Sequence, residues 1–376
     1  MEPLQDDDPA AIGGYTLRGR IGVGGMGQVY LGESAAGLQV AVKVIKASVL
    51  DEDTRARFVL EVDSLKTVYG PFVAAFVAAD AHADQPWLAV EYVPGPDLRT
   101  FITEHGPLPL AETASLGALL AEGLHTVHEA GLLHRDLKPQ NILLAEYGPK
   151  LIDFGLAVLA ERRSMLTATG FVVGSVLCMP PEQARGEHQL SPAADVYALG
   201  AVLLYAATGH YPYTGPTWQA VALRIEDAAT PPDLAGLPPE LRDVIEAMLA
   251  HAPEARPSLD EVTEWLVQVI RGCGLTPAQA KRRLTDRTPA AEILPDLPPQ
   301  PEHEPYDPAV ADPAAQEDEE VRPADREPEP YDTEPDDVTP EPAASAPRAR
   351  DSVTRLSAPL QIAERLRAAY ARDARF

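Results

Sequence analysis

Two cysteines in 376 residues, Cys178 and Cys273, are too few for a disulfide framework. Neither lies in a CxxC or Cys/His cluster that would hold structural zinc. Cationic residues are scarce, with 31 Lys and Arg against 57 Asp and Glu, a net charge of −26. So anionic a chain is poorly suited to nucleic acid or acidic lipid, whose phosphates need clustered cations. No uninterrupted apolar run reaches the length of a spanning helix. The acidic opening MEPLQDDDPA lacks the apolar core of a signal peptide. These deficits lead us to expect a soluble, cytoplasmic protein with no membrane span and no nucleic-acid partner.

Proline is abundant instead. There are 38, about double average usage, and they gather late. From 288 to 350 the chain is rich in Pro, Asp and Glu and poor in large apolar side chains. Such a stretch cannot bury enough surface to offset the entropy of ordering its backbone. We therefore expect disorder at 1–11, a folded domain at 12–273, a disordered linker at 274–356 and a short amphipathic helix at 357–376. In that last segment Leu360, Ile362, Leu366, Ala369 and Tyr370 recur between arginines.

Within 12–273 the opening alternates as strands do, at 15–21, 28–33, 40–45 and 87–93. One early helix interrupts them, marked by Phe58, Val62, Leu65 and Val68 at helical spacing. Helical patterns dominate afterwards, at 110–130, 194–208, 217–224, 239–250 and 258–272. A strand-rich start followed by a larger helical part is an α+β arrangement, unlike repeating βαβ units.

Four stretches carry chemistry. Gly22-Val23-Gly24-Gly25-Met26-Gly27 lets backbone N–H groups approach phosphate oxygens with no Cβ in the way. A plain glycine-rich turn reads the same way; a dinucleotide-binding unit would continue as a helix, whereas Val29-Tyr30-Leu31 continues as a strand. Lys43 stands inside the apolar run Val40–Ile45. It is either an edge lysine facing water or a buried cation that needs an anion, which Glu61 or a phosphate would supply. In His134-Arg135-Asp136-Leu137-Lys138-Pro139-Gln140-Asn141, a carboxylate able to orient a hydroxyl precedes a carboxamide able to ligate Mg²⁺. Asp153-Phe154-Gly155 follows twelve residues later. Two hard oxygen ligands bracketing a lysine describe a magnesium–phosphate site.

Taken in order, G-x-G-x-x-G-x-V, A-V-K, H-R-D-L-K-P-x-N and D-F-G resemble the eukaryotic-type (Hanks-type) protein kinases, over about residues 15 to 270. The bacterial serine/threonine members are the nearest in character. The resemblance implies a bilobal α+β fold, with a β-rich small lobe at about 12–93 and a helical large lobe at about 97–273. It implies ATP and Mg²⁺ as cofactors. Ile21, Gly22, Gly24 and Gly27 would roof the nucleotide, and Lys43, paired with Glu61, would hold its α- and β-phosphates. Val29, Ala41 and Leu143 would sandwich adenine, beside Val90 and the backbone of Glu91 and Val93. Asp136 would be the catalytic carboxylate and Lys138 would neutralise the transferring phosphoryl. Asn141 and Asp153 would hold the metal. Lys138 marks the serine/threonine class, since tyrosine kinases usually lack that lysine.

Regulation is implied the same way. Arg135 would dock a phosphorylated residue of the segment between Asp153 and Glu182, with Thr167, Thr169 and Ser164 as candidates for autophosphorylation. Glu182 and Arg256 would form a buried ion pair, and Asp195 would brace the catalytic loop. The segment departs from the family at Ser175, Cys178 and Pro180, where threonine, an aromatic residue and alanine are usual. Protein Ser/Thr substrates and the chain itself are the implied partners. Thr333-Glu334-Pro335-Asp336 has the form of a ligand for forkhead-associated domains. The alternative function is a pseudokinase scaffold that binds nucleotide or partners without phosphotransfer.

Overall fold

The computed structural model describes residues 1–24, 27–45, 52–154, 176–187 and 189–288. Its amino-terminal part is an antiparallel sheet of β1 (Ala11–Ile12), β2 (Tyr15–Gly24), β3 (Gly27–Glu33), β4 (Gln39–Ile45), β5 (Phe76–Asp80) and β6 (Trp87–Glu91). Their spatial order is β1-β2-β3-β4-β6-β5. Alternation along β4 gives the sheet two working faces. Val40 and Val42 are fully buried and join Leu17, Tyr30, Trp87 and Ala89 in an outer core. Ala41 and Lys43, one residue out of phase, face the other way. Ile45 and Leu88 meet helix α1 (Glu52–Leu65) there, through Phe58, Val62 and Leu65, in the main core.

The helical part comprises α2 (Leu98–His105), α3 (Leu110–Glu129), α4 (Pro181–Ala184), α5 (Ala193–Thr208), α6 (Trp218–Glu226), α7 (Pro239–Met248), α8 (Leu259–Gly272) and α9 (Pro277–Arg287). A small hairpin, β7 (Ile142–Ala145) with β8 (Gly148–Leu151), lies between α3 and α4 in sequence. Helix α5 is buried from Ala194 through Ala206, so it is apolar on every side, as a central helix must be. Among the described residues no helix is long and apolar enough to cross a membrane.

Two boundaries differ from expectation. Residues 1–10 are ordered: Leu4 packs on the outer core and the Asp8 carboxylate pairs with Arg20. The acidic opening reads as solvated because its partners lie elsewhere in the chain. The helical part also continues past 273, because α9 opens with a reciprocal capping box between Thr276 and Gln279 and buries Ala280 and Leu284. The expected linker from 289 and the helix at 357–376 lie outside the described residues.

Candidate active site

Hydrogen-bond register brings the proposed nucleotide residues together. Val29 stands opposite Lys43, Lys43 opposite Leu88, and Ala41 opposite Val90. Val29, Ala41 and Val90 are half-buried, and Val93 is buried. The amide of Glu91 is taken by the carbonyl of Ala75 at 2.8 Å. That amide is therefore engaged within the sheet and is not available to an adenine edge. Gly95 follows with φ 143°, in a conformation that favours glycine, where any Cβ would strike the Leu144 carbonyl. That glycine lets the strand connection lie against β7, which carries Leu143.

The glycines of the loop differ in what they do for the fold. A Cβ at Gly27 would collide with the Val44 carbonyl oxygen on β4. Among the described residues, a Cβ at Gly22 would meet nothing nearer than Val29 Cβ at 3.9 Å. The first is demanded by close strand packing; at the second, the described residues leave room that a ligand could occupy.

Hairpin β7–β8 sets the spacing of the metal-binding candidates. Ile142 pairs with Leu151, and the Ile152 amide donates to the Asn141 carbonyl at 3.0 Å. Asn141 and Asp153 therefore emerge side by side at the open end of the hairpin. Asn141 is buried and its Nδ2 donates to the Asp136 carbonyl at 2.8 Å, leaving its carboxamide oxygen as the atom for a cation. Lys43 Nζ lies 2.9 Å from Asp153 Oδ2. Desolvation pushes the Asp153 carboxyl up, but the Lys43 ammonium, with Lys138 beyond it, outweighs this and holds it below the usual carboxylate range. Lys138 Nζ contacts Asp136 Oδ2 at 2.6 Å. The donor set, two hard oxygens flanked by two ammonium groups, fits Mg²⁺ sharing its coordination with phosphates.

Strain marks both loops. Arg135 and Asp153 each have φ 61°, a left-handed conformation uncommon outside glycine, which persists only where surroundings over-determine it. For Arg135 the enforcing groups are visible. Its amide donates to Asp195 Oδ1 at 2.9 Å and its carbonyl accepts from Gln183 Nε2 at 3.0 Å. Asp195 Oδ2 also takes the His134 amide at 2.8 Å and meets His128 Nε2 at 2.7 Å. Burial raises the Asp195 carboxyl, and the His128 bond and the His134 contacts bring it below the ordinary range.

His134 is buried, and neither ring nitrogen has a partner among the described residues. Desolvation lowers its pKa, keeping the ring neutral where it packs edge-on to Phe154 at 6.4 Å. Glu182 and Arg256 form a bidentate pair at 2.7 and 2.8 Å. Cys178 is buried, and burial pushes its thiol pKa up strongly.

Two contributors escaped the sequence reading. His128 bonds Asp195 from 67 residues away, and Lys150 makes a bidentate contact with Glu91 at 2.7 and 2.8 Å. Lys150 carried the same signal as Lys43, a lysine in an apolar strand. The Glu61 side chain, Gly155, Ser164, Thr167, Thr169 and Ser175 lie outside the described residues, and so does the tail motif at Thr333.

A sheet with a glycine hairpin, joined through a lysine–aspartate pair to a helical part carrying Asp136 and the candidate metal ligands, has the parts that a phosphoryl-transfer fold requires. The chain belongs to the protein kinase family: residues 15–266 match the Protein kinase domain. It is 44% identical over 263 residues to "Probable serine/threonine-protein kinase PkwA" of Thermomonospora curvata, covering 70% of this chain and 35% of the relative. It is 41% identical over 276 residues to "Serine/threonine-protein kinase AfsK" of Streptomyces coelicolor, covering 73% and 34%. It is 39% identical over 266 residues to "Serine/threonine-protein kinase PknK" of Mycobacterium tuberculosis, covering 68% and 24%. The chain thus spans about a third or less of the length of these relatives.

Proposed function

We propose that this chain is a bacterial serine/threonine protein kinase that transfers the γ-phosphoryl group of Mg-ATP to protein hydroxyls. The observation that carries the reading is the meeting of Lys43 with Asp153 at 2.9 Å beside the Asp136–Lys138–Asn141 network. Lys43 holds the α- and β-phosphates, and the backbone of the glycine hairpin covers them. Asp136 accepts a hydrogen bond from the substrate hydroxyl and orients its oxygen toward the γ-phosphorus. The new O–P bond forms as the bond to the ADP oxygen breaks, and Asp136 takes the hydroxyl proton. Lys138 stabilises the charge on the transferring group. Asn141 and Asp153 would hold Mg²⁺, which when bound neutralises triphosphate charge.

A scaffold that binds nucleotide without transfer usually lacks one of the groups at 43, 136 and 153; all three are present. Autophosphorylation at Thr167, Thr169 or Ser164, docked on Arg135, activates the enzyme in this reading. The tail offers Thr333 to a forkhead-associated domain once phosphorylated. The exposed free thiol of Cys273 suits a reducing compartment such as the cytoplasm.

Incubation with labelled ATP and Mg²⁺, beside an Asp136→Asn variant, tests the assignment. Label on serine and threonine from the parent and at least about a hundredfold less from the variant is expected, the scale of a lost general-base contribution. Equal label in both, or none in either, overturns it.

A further inference from the structure

The amino-terminal segment holds an arrangement that phosphoryl transfer does not itself use. The Asp8 side chain is only 3% exposed. Its Oδ2 accepts Arg20 Nε at 2.7 Å and the Gln5 amide at 2.8 Å, while its Oδ1 accepts Arg20 Nη2 at 2.7 Å and the Tyr30 hydroxyl at 2.6 Å. Arg20 and Tyr30 stand directly opposite each other on β2 and β3. One carboxylate therefore ties both strands of the hairpin at a single rung. Glu2 adds two backbone bonds to Arg20, at 2.8 and 2.9 Å, on the outer side of β2.

This rung lies between two irregularities of the hairpin. The register of β2 against β3 slips between Leu17 and Gly19 and again between Arg20 and Gly22. Each irregularity interrupts the ladder and bends the strand. Beyond Arg20 come Ile21, Gly22 and Gly24, and Val23 among them is 81% exposed, so the tip gains no packing from it. Where the tip lies is set at its base.

We infer that Asp8 is a positioning residue: by locking Arg20 to Tyr30 it fixes the height of the glycine loop above the nucleotide phosphates. The inference rests on the nucleotide-binding reading given above. All four bonds to Asp8 come from donors, so asparagine at this position would turn an NH₂ group toward at least one of them. The hairpin would then sample more positions, and bound nucleotide would have to restrict them. Stability alone has a separate control in Leu4→Ala, which trims the packing of the same segment on the outer core and leaves the carboxylate cluster in place.

Steady-state kinetics with ATP as varied substrate, calorimetric titration with Mg-ATP, and thermal melts on the full chain test it. Asp8→Asn should raise KM for ATP and Kd about three- to tenfold, the scale of one or two lost hydrogen bonds, with kcat within about twofold. Leu4→Ala should lower Tm and leave KM unchanged, and Asp8→Glu should recover part of the affinity. An unchanged KM and Kd in Asp8→Asn, or an equal rise in Leu4→Ala, overturns the inference. If Asp8→Asn does not fold, Tyr30→Phe removes one bond alone, and an affinity equal to the parent then counts as failure. Should the parent bind Mg-ATP but transfer nothing, the kinase reading fails while the titration still judges Asp8.

Discussion

Replacing Glu182 with leucine would leave the Arg256 guanidinium buried without its counter-charge. In the parent all five N–H groups of that guanidinium are committed. Nη1 donates to Glu182 Oε1 and the Ala193 carbonyl, Nη2 to Glu182 Oε2 and the His251 carbonyl, and Nε to the Ala250 carbonyl. These acceptors come from α4, the start of α5 and the loop after α7, so one side chain joins three parts of the helical lobe. The guanidinium also lies 5.0 Å from the centre of the Tyr197 ring. The side chains of Arg256 and Glu182 are 0% and 4% exposed, so water cannot screen the change. Breaking such a pair costs about 3–5 kcal/mol, a large part of the roughly 5–15 kcal/mol that holds a domain folded. At about 2–4 °C per kcal/mol for a domain of this size, Tm should fall by roughly 6–20 °C. Thermal melts followed by circular dichroism would measure it. The double variant Glu182→Leu/Arg256→Met should regain part of the loss, because no isolated charge remains. A fall below about 2 °C in the single variant, against the several kcal/mol expected, or a double variant worse than the sum of the singles, would refute this account.

Other consequences are as direct. Gly27→Ala should lower stability through the clash with the Val44 carbonyl, while Gly22→Ala should melt like the parent and bind ATP more weakly; melts and Mg-ATP titrations of both separate the roles, and the reverse pattern would contradict them. Asp8, held down chiefly by Arg20, and Asp195, held down by His128 and His134 against burial, both have folded-state pKa values below ordinary. Near pH 4 the unfolded chain therefore binds more protons, so this stability is present above about pH 4 and is lost as pH falls further. Urea melts between about pH 3 and 5, around that ordinary carboxylate value, should show a shallower decline for Asp8→Asn; parallel slopes would argue otherwise. A thiol alkylating agent should modify exposed Cys273 in the folded chain and spare buried Cys178 until denaturant is added, read by mass spectrometry.

The chemistry was legible because the reaction constrains residue types in order along the chain. Holding phosphates needs backbone free of Cβ, then a cation; moving a phosphoryl group needs a carboxylate, a cation and hard oxygen ligands. Strand-like alternation at 40–45 and the helical pattern at 194–208 likewise mark β4 and α5 in the sequence. Composition misled where it averages. The acidic opening reads as solvated although the Asp8 side chain is buried against Arg20, and the capping box at Thr276 sits beside proline-rich text that masks it.

Sequence alone settled which groups are present and which family of folds can present them, because those requirements are local or periodic. Only the tertiary structure decided the pairings across long separations, His128 with Asp195, Lys150 with Glu91 and Asp8 with Arg20. A charge does not announce its counter-charge along the chain; the partner is chosen by packing, which makes an unpaired buried ion too costly to keep.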